Sequence, residues 1–333
     1  MGISRRTLLL SGSGVVLLGA AGAAGQFLLP KDPEAPAEET VTDQNPQREF
    51  PDMANVWGFG SSTMALLGPY LADKFAGATF HPQGSGGERA QHVFARLGST
   101  PARLALSGGR IPATGSVTAT AWNMQPSASL KPYTGTLGGV PGVLSSTAKA
   151  LTFTRTGTGH AVRVPDGTRF IPSTMNEVRN SVTLINAGKN NLRDSGDVIG
   201  LVTQLTFAAH DWMAPRVKRC VPMTHFVNSD QGPGSVQFTN VQGVNRNILD
   251  RYGELAFDLN AYVLSSQIWD DTNIAPTSRD LQKQAAGMKP DSLSRDVAHL
   301  GPAANAAVAS RIQDHFVSLG YYPAAKAKPG TKV

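Results

Sequence analysis

A chain of 333 residues with 41% hydrophobic content has room for one large domain or two ordinary ones. Its formal charge of +6 reads as mild and scattered, and the longest basic patch, residues 216–219, has no interleaved aromatic residues, which argues against a nucleic-acid partner. The single cysteine, Cys220 in the apolar run CVPM, excludes an intrachain disulfide and a thiolate metal cluster and reads as a buried, inert thiol.

The first 25 residues, MGISRRTLLLSGSGVVLLGAAGAAG, put a basic pair before an apolar stretch and then small residues, the three parts of a secretory signal. The run SRRTLL at 4–9 resembles a twin-arginine signal, so residues 1–25 read as an export signal cleaved near 23–25. The alternative is an uncleaved anchor, although the segment is glycine-rich and only marginally long for a span. The expected location is extracellular or in the cell envelope, with the membrane touched only through this segment. Residues 30–49 are rich in Pro, Glu and Thr and poor in apolar residues, and 26–49 read as a disordered linker. The folded body is expected over 50–325, followed by a flexible tail, 326–333.

The body opens with an apolar run at Val56 and Trp57 that stops at Gly58-Phe59-Gly60. Met64, Leu67, Leu71 and Phe75 then recur at helical spacing. Thr79-Phe80-His81 reads as a second short strand, and GSGGERAQHVFARLG as a glycine turn running into a helix with Ala90, Val93 and Phe94. Over 104–172 the rhythm changes to alternating segments, SVTATAWNM, ALTFTRT and HAVRVPDG, separated by Gly- and Pro-rich turns. This predicts a small antiparallel β insert. SVTLINAG at 181–188 reads as a buried parallel strand, followed by a helix with Val198, Val202, Leu205 and Ala209 on one face. A strand over 219–228, a helix at VNRNILDRYG, a strand at LAFDLNAYV and a last helix from Pro302 complete a parallel sheet flanked by helices.

In open α/β sheets ligands bind beyond the carboxyl ends of the strands. There lie Gly60-Ser61-Ser62-Thr63, then Gly84 to Glu88, then Gly188-Lys189-Asn190-Asn191, and, just before the last helix, Asp296 and His299. Each has a plain structural reading: a helix cap for the serines, tight turns for Gly87 and Asn190, a surface residue for His299. Together they form the kit for acyl transfer: a nucleophile, a base, a group orienting the base, and oxyanion donors.

In this order the blocks resemble the SGNH (GDSL-like) hydrolase superfamily. The resemblance covers roughly 50–100 and 175–320. It implies a three-layer, flavodoxin-like α/β fold and a serine esterase or lipase that uses no cofactor. It puts Ser62 at the nucleophile, with Ser61 or Thr63 capping the helix, and His299 at the base, oriented by Asp296. Gly87, Asn190 and the Ser62 N–H take the oxyanion positions. Ser61 stands where the family usually has Asp.

His225 is expected to pack, with lining a substrate groove as the alternative. His81, His92, His160, His210 and His315 form no ligand cluster with carboxylates, so no metal is expected. Trp57, Trp122, Trp212 and Trp269 read as core, although Trp122 and the insert could wall a carbohydrate site. The insert joins two of the candidate loops and is expected to shape substrate choice rather than chemistry. The expected partner is an acyl ester, polysaccharide or lipid. The rival readings are an acyltransferase on the same scaffold and a non-catalytic envelope-binding protein.

Overall fold

The structure, a computed structural model, describes residues 48–323. The export signal (1–25), residues 26–47 of the linker and the 326–333 tail lie outside the described residues. Among the described residues no helix is long and apolar enough to cross a membrane.

The chain starts with β1 (Asp52–Gly60), α1 (Ser62–Leu71), β2 (Thr79–Gly84) and α2 (Ala90–Leu97). Eight strands follow: β3 (Ala102–Leu106), β4 (Arg110–Ile111), β5 (Ser116–Ala121), β6 (Tyr133–Leu137), β7 (Val140–Ser146), β8 (Leu151–Arg155), β9 (Val162–Arg163) and β10 (Thr168–Pro172). Then come α3 (Met175–Arg179), β11 (Ser181–Asn186), α4 (Val198–Trp212), β12 (Cys220–Pro222) and α5 (Val236–Tyr252). Three short helices, α6 (Leu259–Val263), α7 (Gln267–Thr272) and α8 (Ser278–Ala285), precede α9 (Pro302–Ser318).

The fold is mixed α/β: a parallel sheet in the order β12-β11-β1-β2 and a separate closed antiparallel barrel, β10-β3-β5-β8-β7-β6. Alternation along the sheet strands divides the main core in two. Val56, Val182 and Leu184 face α1 and α9, packing with Met64, Leu67, Val308, Ile312 and Phe316. Trp57, Phe59 and Ile185 face α2, α4 and α5, packing with Val93, Phe94, Val202, Val241 and Val244. The barrel has its own core around Leu104, Leu137, Leu144, Phe153 and Phe170. Small residues make room for the large ones, as small barrels require. A Cβ on Gly142 would come within 2.4 Å of the Phe153 ring, and one on Gly135 within 2.8 Å of Phe170.

Several elements differ from the sequence reading. The strand expected over 219–228 pairs only through Cys220–Pro222, with a single further bridge at Met223. LAFDLNAYV is not a strand. Phe257 makes one parallel bridge to Met223, and Asp258 then caps α6 by accepting the Ala261 N–H at 3.0 Å. The side chain of Asp258 thus stops the extended run. α5 begins at Val236, well before the expected VNRNILDRYG, capped by Ser235. α1 ends at Leu71, so Phe75 joins the core from a turn. Trp57 and Trp269 are buried, whereas Trp122 is 47% exposed.

Candidate active site

Ser62 is the first residue of α1, directly after β1. Glycine makes this abrupt junction possible. A Cβ on Gly60 would lie 2.5 Å from the Asn186 carbonyl oxygen, and one on Gly84 2.1 Å from the Ala65 nitrogen. The expected cap is absent. Ser61 occupies the N-cap position without a side-chain capping bond, and the buried hydroxyls of Ser61 and Thr63 have no partner among the described residues. The Ser62 hydroxyl points elsewhere, to His299 Nε2 at 2.8 Å.

His299 sits on the turn before α9. Its Nδ1 lies 2.9 Å from both Asp296 carboxylate oxygens. With Nδ1–H donating to Asp296, Nε2 is left to accept the Ser62 proton. Asp296 Oδ1 also accepts the Ala298 N–H at 2.8 Å and the His299 N–H at 3.0 Å, so one carboxylate shapes the turn and orients the ring. Burial pushes the Asp296 pKa up, but the bonds from His299 and these amides outweigh it and hold the carboxyl below its ordinary value.

Asn190 and the Gly87 loop are also brought together. Gly188 and Gly87 have φ of +108° and +77°, where a side chain is strained. Asn190 Nδ2 donates to the Glu88 carbonyl oxygen at 2.8 Å, and Asn191 Oδ1 accepts the Ala90 N–H at 2.8 Å. The four loops close a ring of hydrogen bonds. Ser85 N donates to Gly60 O at 3.1 Å, Asn190 joins Glu88, Lys189 Nζ donates to Ala298 O at 3.0 Å, and His299 returns to Ser62.

Three contributors escape the sequence reading. Lys289, fully buried, donates to the carbonyl oxygens of Asp296 at 2.8 Å and His299 at 3.0 Å and to the Ser294 hydroxyl. Burial pulls its pKa down to about 8. Lys189, also buried, lies 3.2 Å from the centroid of the Phe226 ring, and burial and Lys289 lower its pKa well below the ordinary value. Both act on main-chain oxygens, which leave no sequence pattern. The third is the buried Glu88–Arg96 pair, bonded at 2.9 and 2.5 Å. Glu88 Oε1 also accepts the Lys131 N–H at 2.8 Å, from the loop between β5 and β6 of the barrel. That loop touches the site again where a Cβ on Gly87 would lie 2.5 Å from Ser129 Oγ, and where His92 Nε2 donates to Gln125 O at 2.8 Å.

His225 packs. It is buried, and burial and Lys189 push its pKa down to about 3, so it stays neutral. Its main-chain N–H and carbonyl are held by Asn245 at 2.8 and 2.7 Å. Among the described residues no group of three His, Cys, Asp or Glu is placed to hold a metal ion. The arrangement at Ser62 can pass a proton from a hydroxyl to an imidazole whose other nitrogen faces a carboxylate, the requirement for nucleophilic acyl transfer.

No protein-family model matches the chain, and no curated protein matches it. Among solved structures, one of a peptidoglycan O-acetylesterase in action, 5 min, is similar at 12% identity and a TM-score of 0.31, over 83% of this chain and 93% of that chain. At that level the likeness carries no argument about fold or chemistry.

Proposed function

We propose that this protein is an exported serine esterase that removes acyl groups from a carbohydrate or lipid ester of the cell envelope or its surroundings. The observation that carries the reading is the continuous hydrogen-bonded path from the Ser62 hydroxyl through both nitrogens of His299 to the Asp296 carboxylate. His299 takes the Ser62 proton as Oγ attacks the ester carbonyl. Asn190 and the N–H groups of Gly87 and Ser62 receive the oxyanion. His299 then returns the proton to the leaving alcohol, and water repeats the sequence on the acyl-enzyme.

The parallel strands, counted along the chain, stand in the order second, first, third, fourth. That is the order of flavodoxin-like folds and supports a three-layer, SGNH-type hydrolase. The composition of residues 1–25 supports export. The test is labelling by a fluorophosphonate together with hydrolysis of p-nitrophenyl acetate and of acetylated sugars. Labelling and turnover that both vanish in Ser62→Ala support the reading. A wild-type protein that neither labels nor hydrolyses any ester overturns it.

A further inference from the structure

The positive charge that reads as scattered along the sequence is collected by the fold. Residues 102–172 hold seven Lys and Arg residues and one acid, Asp166, so the barrel segment alone matches the +6 of the whole chain. The arginines are concentrated on one ribbon. β3 and β10 pair with Arg103 opposite Arg169, and β4 and β9 pair with Arg110 opposite Arg163. The two ladders run on from each other, because Gly167 N donates to Leu104 O at 2.9 Å and Val164 N to Gly109 O at 3.0 Å between them. Ala102, Leu104, Ile111 and Phe170 on the same strands fill the barrel core, so alternation turns the arginines outward. Arg110, Arg163 and Arg169 are exposed and have no ion pair among the described residues.

Like charges facing each other across a ladder weaken it. Arg110 facing Arg163 therefore does not strengthen the β4–β9 ladder. Trp122 completes the surface. Its main-chain N–H donates to Arg103 O at 3.0 Å, its ring packs against Gly167, and it is the large apolar side chain exposed on the barrel. The loop that leaves Trp122 reaches Ser129, beside Gly87, within seven residues. That is at most about 25 Å of extended chain.

We propose that this ribbon is a docking surface for an anionic polysaccharide. Guanidinium groups take carboxylate oxygens in pairs, an exposed indole offers a flat apolar face to a sugar ring, and a concentrated positive field draws in a polyanion. A lipid surface would call for a wider apolar face to insert, which one tryptophan does not supply. The surface does not depend on the chemistry at Ser62.

The test titrates the full chain with polygalacturonate, with dextran of matched length and with phosphatidylglycerol vesicles, read by calorimetry at low and high NaCl. Polygalacturonate is expected to bind about tenfold or more tighter than dextran, and to weaken with salt. The triple variant Arg110→Gln, Arg163→Gln, Arg169→Gln is expected to lose at least about tenfold in affinity, with its melting temperature unchanged. The matching triple lysine variant, which keeps the charge and loses the paired donors, should bind more tightly than the glutamine variant and more weakly than wild type, and the single Arg163→Gln should show a partial loss. Equal binding of both polymers, or glutamine variants that bind as wild type, would overturn the proposal. Vesicle binding without polygalacturonate binding would overturn it too, by assigning the surface to lipid. Because every arm reads binding alone, an inert Ser62 site leaves the test intact.

Discussion

The ammonium of Lys289 donates to the main-chain oxygen of His299 at 3.0 Å, and its other main-chain bond, at 2.8 Å, goes to Asp296. A buried cation that meets only neutral acceptors directly is costly to fold. Here it pins both ends of the turn that presents the imidazole. Lys289→Met is expected to lower kcat about 10- to 100-fold with KM little changed, since small misplacements of a catalytic group cost that much. Steady-state kinetics on p-nitrophenyl acetate, with a melting curve, check it. A variant altered only in KM would detach Lys289 from the base.

The same lysine sets an alkaline limit. Burial lowers its pKa to about 8, against the opposing fields of Asp296, Asp291 and Asp230 and with that of Lys283. In the unfolded chain it keeps the ordinary value of 10.5. Between these values the unfolded chain binds more protons, so this group's contribution to stability rises with pH there. The turn, meanwhile, loses the charge on its clamp. The expected outcome is a kcat that falls above pH about 8 while the melting temperature does not fall with it. That limb should be missing in Lys289→Met. Parallel pH–rate and pH–melting series read both quantities.

Adjacent serines should behave oppositely. Ser62→Ala is expected to cost about 10⁴-fold or more in kcat, as removal of a triad nucleophile does, and to leave the fold intact. Ser61→Ala removes a buried hydroxyl that has no partner among the described residues, so turnover should persist and stability should hold or rise. Turnover that survives in Ser62→Ala and disappears in Ser61→Ala would move the nucleophile by one residue.

Asn190→Ala is expected to lower kcat about 10²–10³-fold and to change KM far less, because an oxyanion donor acts in the transition state. It also frees the Glu88 carbonyl that Asn190 holds. Gly87→Ala is a poor substitute for this experiment, since the positive φ of Gly87 adds backbone strain. A variant changed only in KM would make Asn190 a substrate or turn residue.

What the sequence makes legible is what repeats or punctuates. The 56–62 junction shows as an apolar run halted by glycines, the barrel as alternation, and α9 as Pro302 followed by spaced apolar residues. The blocks holding Ser62, Asn190, Asp296 and His299 stand out because side-chain chemistry meets a predicted strand end or helix start. Lys289 does not stand out, because its partners are carbonyl oxygens that any residue could supply. The strand expected at 255–263 fails because LAFDLNAYV has strand composition, while Asp258, its fourth residue, turns the chain into a helix. α8 carries a local signal of a different kind. Thr277 and Asp280 form a reciprocal capping box three residues apart.

Glu88 is where two bodies of the protein meet in one residue. Its main-chain oxygen holds Asn190, and its carboxylate holds the Lys131 amide of the barrel. The barrel is therefore hydrogen-bonded, through this one residue, to the loop that holds Asn190, and the expectation that it only selects substrates is open to a direct test. Grafting a foreign barrel onto 102–172 should register first as a lower turnover number on the smallest ester, too small to touch the barrel at all. Only after the Glu88 joint is rebuilt should the graft express a substrate range of its own.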